Sequence, residues 1–459
     1  MAPKRKRLSS THFSSILLRN FRCYKDSGPI PFKPLTIILG PNNVGKSTIL
    51  NSILLMKQSL AVDTPREAII TSGPLVDLGG FSDVLHRGAS KGDRSFTVEL
   101  QATYSGQNSP FGGFRDDLKS PSKDRGIIGL SLTFGYSSAA NQILVREVEF
   151  RRDGVTELKF KGHGSRIFLL NPDGSERSDL EVHLLNSLPL IHGKVGRKGK
   201  PNEDQVRDLS RLGNLCISHA WGWTDFHRSV GYVAPLRGPT PRYATSGSTS
   251  PGGPLATPAG LLQELKSRRR LRPTGKQLIK LVEDWAKNQL GVLRGLDLRS
   301  IDKAGTVFAL FVDERSGFRG INIASMGEGV SQLIPILSAV LGSRDGSCVL
   351  VEQPELHLHP DLQARIADLF VDQVVNNRKQ IILETHSEHL LLRVRRRVAE
   401  GTLDPSQVAI LYVDRPGRES RVRSLPIDSD GHIGQWPEGF FEEGIEEAYR
   451  IASARSGGA

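Results

Sequence analysis

The chain has 459 residues, with 61 Lys+Arg against 49 Asp+Glu and a formal charge of +12. That length is roughly three domains' worth of chain at about 150 residues per domain, and 38% apolar residues are enough for a sizeable core, which excludes wholesale disorder. No apolar stretch approaches the roughly 18 residues of a bilayer span, the basic start Met1–Phe13 lacks an apolar signal core, and Cys23, Cys216 and Cys348 form no disulfide framework or zinc spacing. The expectation is a soluble, cytoplasmic protein of a reducing compartment. Its positive charge alone names no partner.

In chain order, Ser15–Leu18 and Leu35–Leu39 read as strands, the second stopping at Gly40. Ile49, Leu50, Ile53 and Leu54 follow at helical spacing. Strand-like runs come next at Phe96–Leu100, Gly126–Phe134, Leu144–Phe150 and Val155–Phe160, so this region reads as β-rich around one helix. The middle is less orderly, and residues 237–260 read as a linker from their Pro, Gly, Ser and Thr content. Thr274 and Gln277 make a capping-box pattern, followed by Leu278, Leu281, Val282 and Trp285 as one buried helical face. Beyond residue 300 the pattern predicts a hairpin across Ser316 and Gly317, a helix from Val330 to Leu341, and a strand Cys348–Val351. A helix 361–375, a strand 380–384, a helix 388–400 and a strand 407–413 complete it. Alternating strands and helices imply a parallel sheet with helices packed on it.

Gly40, Pro41, Asn42, Asn43, Val44, Gly45, Lys46 and Ser47 fit G-x-x-x-x-G-K-[ST] without a mismatch, between an apolar strand and a helix. The glycines let the backbone N–H groups turn toward phosphate oxygens, and the helix N-terminus adds a favourable dipole. Lys46 would reach the phosphates and Ser47 would ligate Mg²⁺, so a nucleoside triphosphate is the expected ligand. Glu352 stands at the carboxyl end of a second apolar strand, where a further Mg²⁺ contact is placed. His386 ends a third such strand and is a candidate sensor of the γ-phosphate.

Asn20-Phe-Arg22, the P-loop, Ser325-Met-Gly327-Glu-Gly329, Glu352-Gln-Pro-Glu355-Leu-His-Leu-His-Pro360 and Glu384-Thr-His-Ser387 occur in that order. The set resembles the ABC-type ATPases of the RecF, SMC and OLD group, and most closely the stand-alone prokaryotic members ending in a segment like Trp436–Phe441. The resemblance implies an α/β fold: a P-loop ABC-type ATPase head with a β-rich N-terminal lobe (1–165), a mixed, partly helical insertion (166–300) and an α/β C-terminal lobe (301–459). It implies a Walker A loop from Gly40 to Thr48, a Walker B carboxylate at Glu352, and a signature motif at Ser325, Gly327 and Gly329. The signature would contact ATP held by a second subunit. His359, Pro360 and Asp361 fall at the D-loop, His386 at the switch histidine and Gln58 at the Q-loop. ATP and Mg²⁺ would sit between two head-to-tail protomers of a homodimer or higher homo-oligomer.

One departure stands out. Family members commonly carry a glutamate base after the Walker B acid, and here that position is Gln353. An amide orients a water but cannot take its proton. Either Glu355 substitutes, or hydrolysis is slow and ATP acts as an assembly switch.

Three functions compete. The first is a slow ATPase whose assembly switches an effector encoded by a neighbouring gene, in antiviral defence. The second is a RecF-like DNA-repair or DNA-clamping ATPase acting through Lys4–Arg7, Arg197-Lys198, Arg268–Arg270 and Arg393–Arg397. The third, a nuclease, is disfavoured because only 73 residues follow His386. His357, His359 and His389 fall inside or beside the ATPase motifs and match no H-E-x-x-H zinc pattern. Arg237, Arg242 and Tyr243 look like a family feature that anchors the insertion.

Overall fold

The structure is a computed structural model that describes residues 10–61, 68–89, 94–106, 110–111, 125–164, 166–177, 179–185, 188–193, 203–235, 241–245, 274–434 and 436–437. Lys4–Arg7, Arg197-Lys198, Arg268–Arg270, Arg237, most of the 237–260 linker and residues 438–441 lie outside it.

Leu35–Leu39, four large apolar residues with Thr36 among them, form a strand buried on both faces. Such runs belong in a parallel sheet covered on both sides. The sheet around it runs Gly231–Val233, Cys348–Glu352, Gln380–Glu384, Leu35–Leu39, Val408–Asp414 and Arg421–Leu425 in spatial order. All neighbours are parallel except the last, which closes an antiparallel hairpin. Alternate residues divide between two cores. Ile38, Cys348, Leu350, Ile382 and Leu411 face the helix Lys46–Ala61 and the N-terminal sheet. Ile37, Val349, Val351, Ile381 and Ile410 face the helices Glu328–Gly342, Pro360–Asn377 and Glu388–Ala399.

The β-rich lobe is an antiparallel sheet of eight strands. Its strand Ser95–Ser105 buries Phe96, Val98, Leu100, Ala102 and Tyr104 and exposes the residues between them more, the period of two that a sheet with one dry face requires. A smaller antiparallel sheet carries the expected hairpin, Val307–Asp313 pairing with Ile321–Asn322.

The expected insertion shares both main sheets. Arg166–Leu169 pairs with Val155–His163, and Gly231–Val233 pairs with Cys348–Glu352. It also holds a 27-residue helix, Glu203–Ser229, which the sequence reading did not find. Its buried face includes His219, Gly222 and His227 among Cys216, Ala220, Trp223 and Phe226. Small and polar residues at those positions blur the apolar periodicity.

The capping box forms as expected, with Thr274 Oγ1 accepting from the Gln277 N–H ahead of the helix Gly275–Asp284. The buried face differs from expectation. Leu278, Val282 and Ala286 are buried, whereas Leu281 is exposed. Steps of four keep those three on one stripe, while Leu281 falls outside it.

Candidate functional site

Gly40 ends the P-loop strand with φ +140°, and a Cβ there would lie 2.1 Å from Val413 O on the adjacent strand. Gly45 has φ +105°, and its Cβ would lie 2.4 Å from Cys23 Sγ. Only glycine fits either position without displacement. Between them Asn43 takes φ 61°, and Val44 packs into the core beneath. Tyr24 Oη braces the turn by donating to Gly45 O at 3.1 Å.

Lys46 is 4% exposed. Its Nζ donates to Gly40 O at 2.9 Å and Pro41 O at 2.5 Å. Burial lowers its pKa, and the carboxylates of Glu384 and Glu355 oppose that. A buried ammonium held by carbonyl oxygens suits an incoming anion. Asn42, Asn43, Gly45, Lys46, Ser47 and Thr48 line a cavity of about 930 Å³, together with Arg22, His86, Arg415 and Arg418.

Two strand ends bring carboxylates to this cavity. Glu352 and Glu384 are register partners on neighbouring parallel strands. Ser47 Oγ donates to Glu384 Oε1 at 3.0 Å, and Glu384 Oε2 is buried without a hydrogen-bond partner among the described residues. Tyr232 Oη donates to Glu352 Oε1 at 3.0 Å. Burial first, then Glu384 beside it, raises the Glu352 pKa to about 7, against the pull of the Tyr232 hydrogen bond. Glu384 is also raised by burial, with the Ser47 bond and Lys46 opposing.

Gln353 sits at φ 43°, donates its N–H to Glu384 O at 2.8 Å and lines the cavity. Glu355 is buried and turned elsewhere, its Oε1 accepting the His386 N–H at 2.6 Å. His386 lines the cavity, its pKa lowered by burial and then by Lys46. The P-loop, Ser47, Gln353, Glu384 and His386 therefore converge, while Glu352 and Glu355 support them from outside the cavity lining.

The signature residues lie elsewhere. Ser325 closes a 3-10 turn, Gly327 is the N-cap of Glu328–Gly342, and a Cβ on Gly329 would lie 3.0 Å from His357 O. None of them lines the P-loop cavity. Ser325 is exposed and its Oγ accepts from Arg242 Nη1 at 3.2 Å, while Asn322 Nδ2 donates to Arg242 O at 2.7 Å. His359 caps the helix Pro360–Asn377.

Gln58 is not at the cavity. Its Nε2 donates to Ile70 O and Val76 O, and its Oε1 accepts from Leu75 and Val76 N–H, so its amide is spent on the turn 70–76. The Arg393–Arg397 cluster is similarly engaged. Asp368 accepts from Arg393 and Arg397 at 2.7 Å each, Glu400 from Arg396 and Arg397 at 2.6 Å each, and Gly431 O from Arg395 at 2.8 Å. Arg393, Arg395 and Arg397 tie the helix to its neighbours, while Arg396 pairs with Glu400 at the end of its own helix and is largely exposed.

Glu384 and Tyr232 are site residues that sequence reasoning missed. Glu384 carries the same signal as Glu352, a carboxylate closing an apolar strand, but the conspicuous His386 two residues on masks it. Tyr232 had no local signal, because strand pairing brings it to Glu352.

The fold and the site together define a P-loop nucleotide-binding domain. Residues 12–99 match the family "AAA ATPase domain", residues 190–393 match "AAA domain, putative AbiEii toxin, Type IV TA system", and residues 403–447 match a family of proteins of unknown function, DUF3696. The OLD nuclease of Thermus scotoductus is 34% identical over 403 residues, which are 81% of this chain and 58% of that protein. The chain thus spans little more than half the length of that relative. The Smc head domains of Pyrococcus furiosus and Pyrococcus yayanosii, at 13% and 12% identity, each align over their whole length with 97% and 96% of this chain, both with a TM-score of 0.45. Two AAA family models match separate parts of the chain, and the chain is similar to an OLD nuclease over most of its own length. Among the described residues no helix is long and apolar enough to cross a membrane.

Proposed function

We propose that the chain binds Mg²⁺ and ATP at this cavity, hydrolyses the nucleotide slowly, and uses it to close head-to-tail on a second copy. The carrying observation is the amide of Gln353 in the cavity wall, at the position after Glu352. The residues fit such a ligand: two glycines in a tight loop where a Cβ would collide with the surrounding chain, a buried ammonium on carbonyls, and a buried carboxylate oxygen with no hydrogen-bond partner among the described residues. Bound Mg·ATP would supply the phosphoanhydride bond and the charge that bridges two copies.

Lys46 and the N–H groups from Asn42 to Thr48 hold the phosphates. Ser47 and the carboxylates at the strand ends, Glu352 and Glu384, supply the oxygens and the negative charge for the cation. Gln353 orients a water without accepting its proton. Glu355 fixes the backbone of His386, which reads the terminal phosphate. Ser325, Gly327 and Gly329 serve the nucleotide of the other copy. Assembly then switches an effector from a neighbouring gene, in prokaryotic antiviral defence.

ATP turnover tests the slow switch. The unmodified chain is expected to turn over slowly, and Gln353→Glu to raise the rate by about 10-fold or more, since a positioned base contributes about 10²–10⁴-fold. A brisk rate unchanged by the substitution overturns it. Mass photometry is expected to show larger assemblies with ATP than without, and no change would count against the assembly.

A further inference from the structure

The two carboxylates at the strand ends are not equivalent. In the sheet, Gln380–Glu384 lies directly beside the P-loop strand, and Cys348–Glu352 lies one strand further out. Glu384 is in register with Ile38, two residues before Gly40. With neighbouring strands about 4.8 Å apart, the Glu352 backbone stands roughly 10 Å from the P-loop strand. The side chains follow that order.

Glu384 is buried, lines the cavity, and accepts the Ser47 hydroxyl proton at 3.0 Å. Its second oxygen, also buried, has no hydrogen-bond partner among the described residues. Glu352 is outside the cavity lining and carries the Tyr232 hydroxyl on Oε1. A hard divalent cation takes hydroxyl and carboxylate oxygens, so a serine and a carboxylate already in contact make the natural pair of ligands.

Resting on the nucleotide-binding reading above, we infer that Glu384, together with Ser47, is the direct carboxylate ligand of the divalent cation. Glu352 acts from one strand away, through its charge and its bond to the edge strand. The chain thereby keeps a carboxylate on the cavity wall although Gln353 offers none.

The test uses the full chain and Mn²⁺ as the probe. Free Mn²⁺ is titrated by electron paramagnetic resonance in the presence of saturating AMP-PNP, for the unmodified chain, Glu384→Gln and Glu352→Gln. Binding of a fluorescent nucleotide in EDTA is measured in parallel. Glu384→Gln is expected to weaken Mn²⁺ binding by at least about 10-fold while keeping metal-free nucleotide binding, and Glu352→Gln to weaken it less; loss of even a metal-orienting partner commonly costs 10–100-fold. Unchanged Mn²⁺ affinity in Glu384→Gln, or a larger loss in Glu352→Gln, overturns the assignment while leaving nucleotide binding standing. Failure of the unmodified chain to bind nucleotide in either arm overturns both. Should Glu384→Gln not fold, Glu384→Asp moves the carboxylate back by one methylene. Mn²⁺ affinity is then expected to fall, and an unchanged value overturns the assignment.

Discussion

Tyr232 donates its hydroxyl proton to Glu352 at 3.0 Å, which ties the edge strand Gly231–Val233 to the carboxylate of its neighbour. That strand begins two residues after the long helix Glu203–Ser229 ends. Lys57, on the P-loop helix, donates to the carbonyls of His227 and Arg228 at 3.0 and 3.1 Å. The end of the long helix is therefore fastened both to the P-loop helix and to the second carboxylate strand.

Tyr232→Phe removes the donor and leaves a buried carboxylate oxygen with one bond fewer. The loss is about 1–2 kcal/mol of stability, because a buried acceptor without its partner retains its desolvation penalty. Thermal and urea unfolding of the nucleotide-free chain should both shift down. An unchanged midpoint would mean that this bond holds nothing together.

Gly40→Ala should be far worse than Gly28→Ala. Both positions have positive φ, but a Cβ on Gly28 meets nothing within 4 Å, whereas on Gly40 it meets the Val413 carbonyl at 2.1 Å. Backbone strain alone costs roughly 1–2 kcal/mol. Gly40→Ala must also displace a strand or the loop, so fluorescent-nucleotide binding should be lost. Gly28→Ala should melt slightly lower and bind as before.

Acid should weaken the helix anchorage at His227. This imidazole is fully buried, with Nδ1 on Trp223 O at 2.8 Å, and burial lowers its pKa from 6.5 to about 4. The unfolded chain takes up the proton first as pH falls. Stability from the buried neutral ring is thus complete above about pH 6.5 and is lost progressively as pH drops toward 4, a change of about 2–3 kcal/mol. His227→Phe should flatten the melting curve's dependence on pH between 7 and 5. An equal slope in the two proteins would assign the acid response to other groups.

Arg242→Ala should separate binding from assembly. Arg242 is exposed beside the Ser325 hydroxyl and away from the P-loop cavity. Under the proposed head-to-tail closure, its loss should leave nucleotide affinity of the single chain unchanged and weaken ATP-dependent assembly by about 10-fold, the order of one charge-assisted contact. Analytical ultracentrifugation with and without ATP measures the second quantity, and unimpaired assembly would remove Arg242 from the interface.

Much of the nucleotide site was legible along the chain because a P-loop is local. One strand, two obligatory glycines, a lysine and a helix start are contiguous, and short-range sterics decide their conformation. The core strands Leu35–Leu39 and Gln380–Glu384 were legible for a similar reason, since burial on both faces places large apolar residues side by side at their centres. The long helix Glu203–Ser229 was not, because its buried stripe contains two histidines and a glycine.

The amino-acid sequence by itself determined the phosphate cradle, the identity of the core strands, and the amide at position 353. Tertiary structure alone decided which carboxylate meets Ser47, that Tyr232 serves Glu352, that Gln58 holds the turn 70–76, and that Arg393–Arg397 are bound to their own fold. The physical reason is strand order. Which strand lies beside the P-loop depends on how two cores, on opposite faces of one sheet, are buried together, and no local run of residues records that. A single intervening strand sets Glu384 against Ser47 and holds Glu352 one place away.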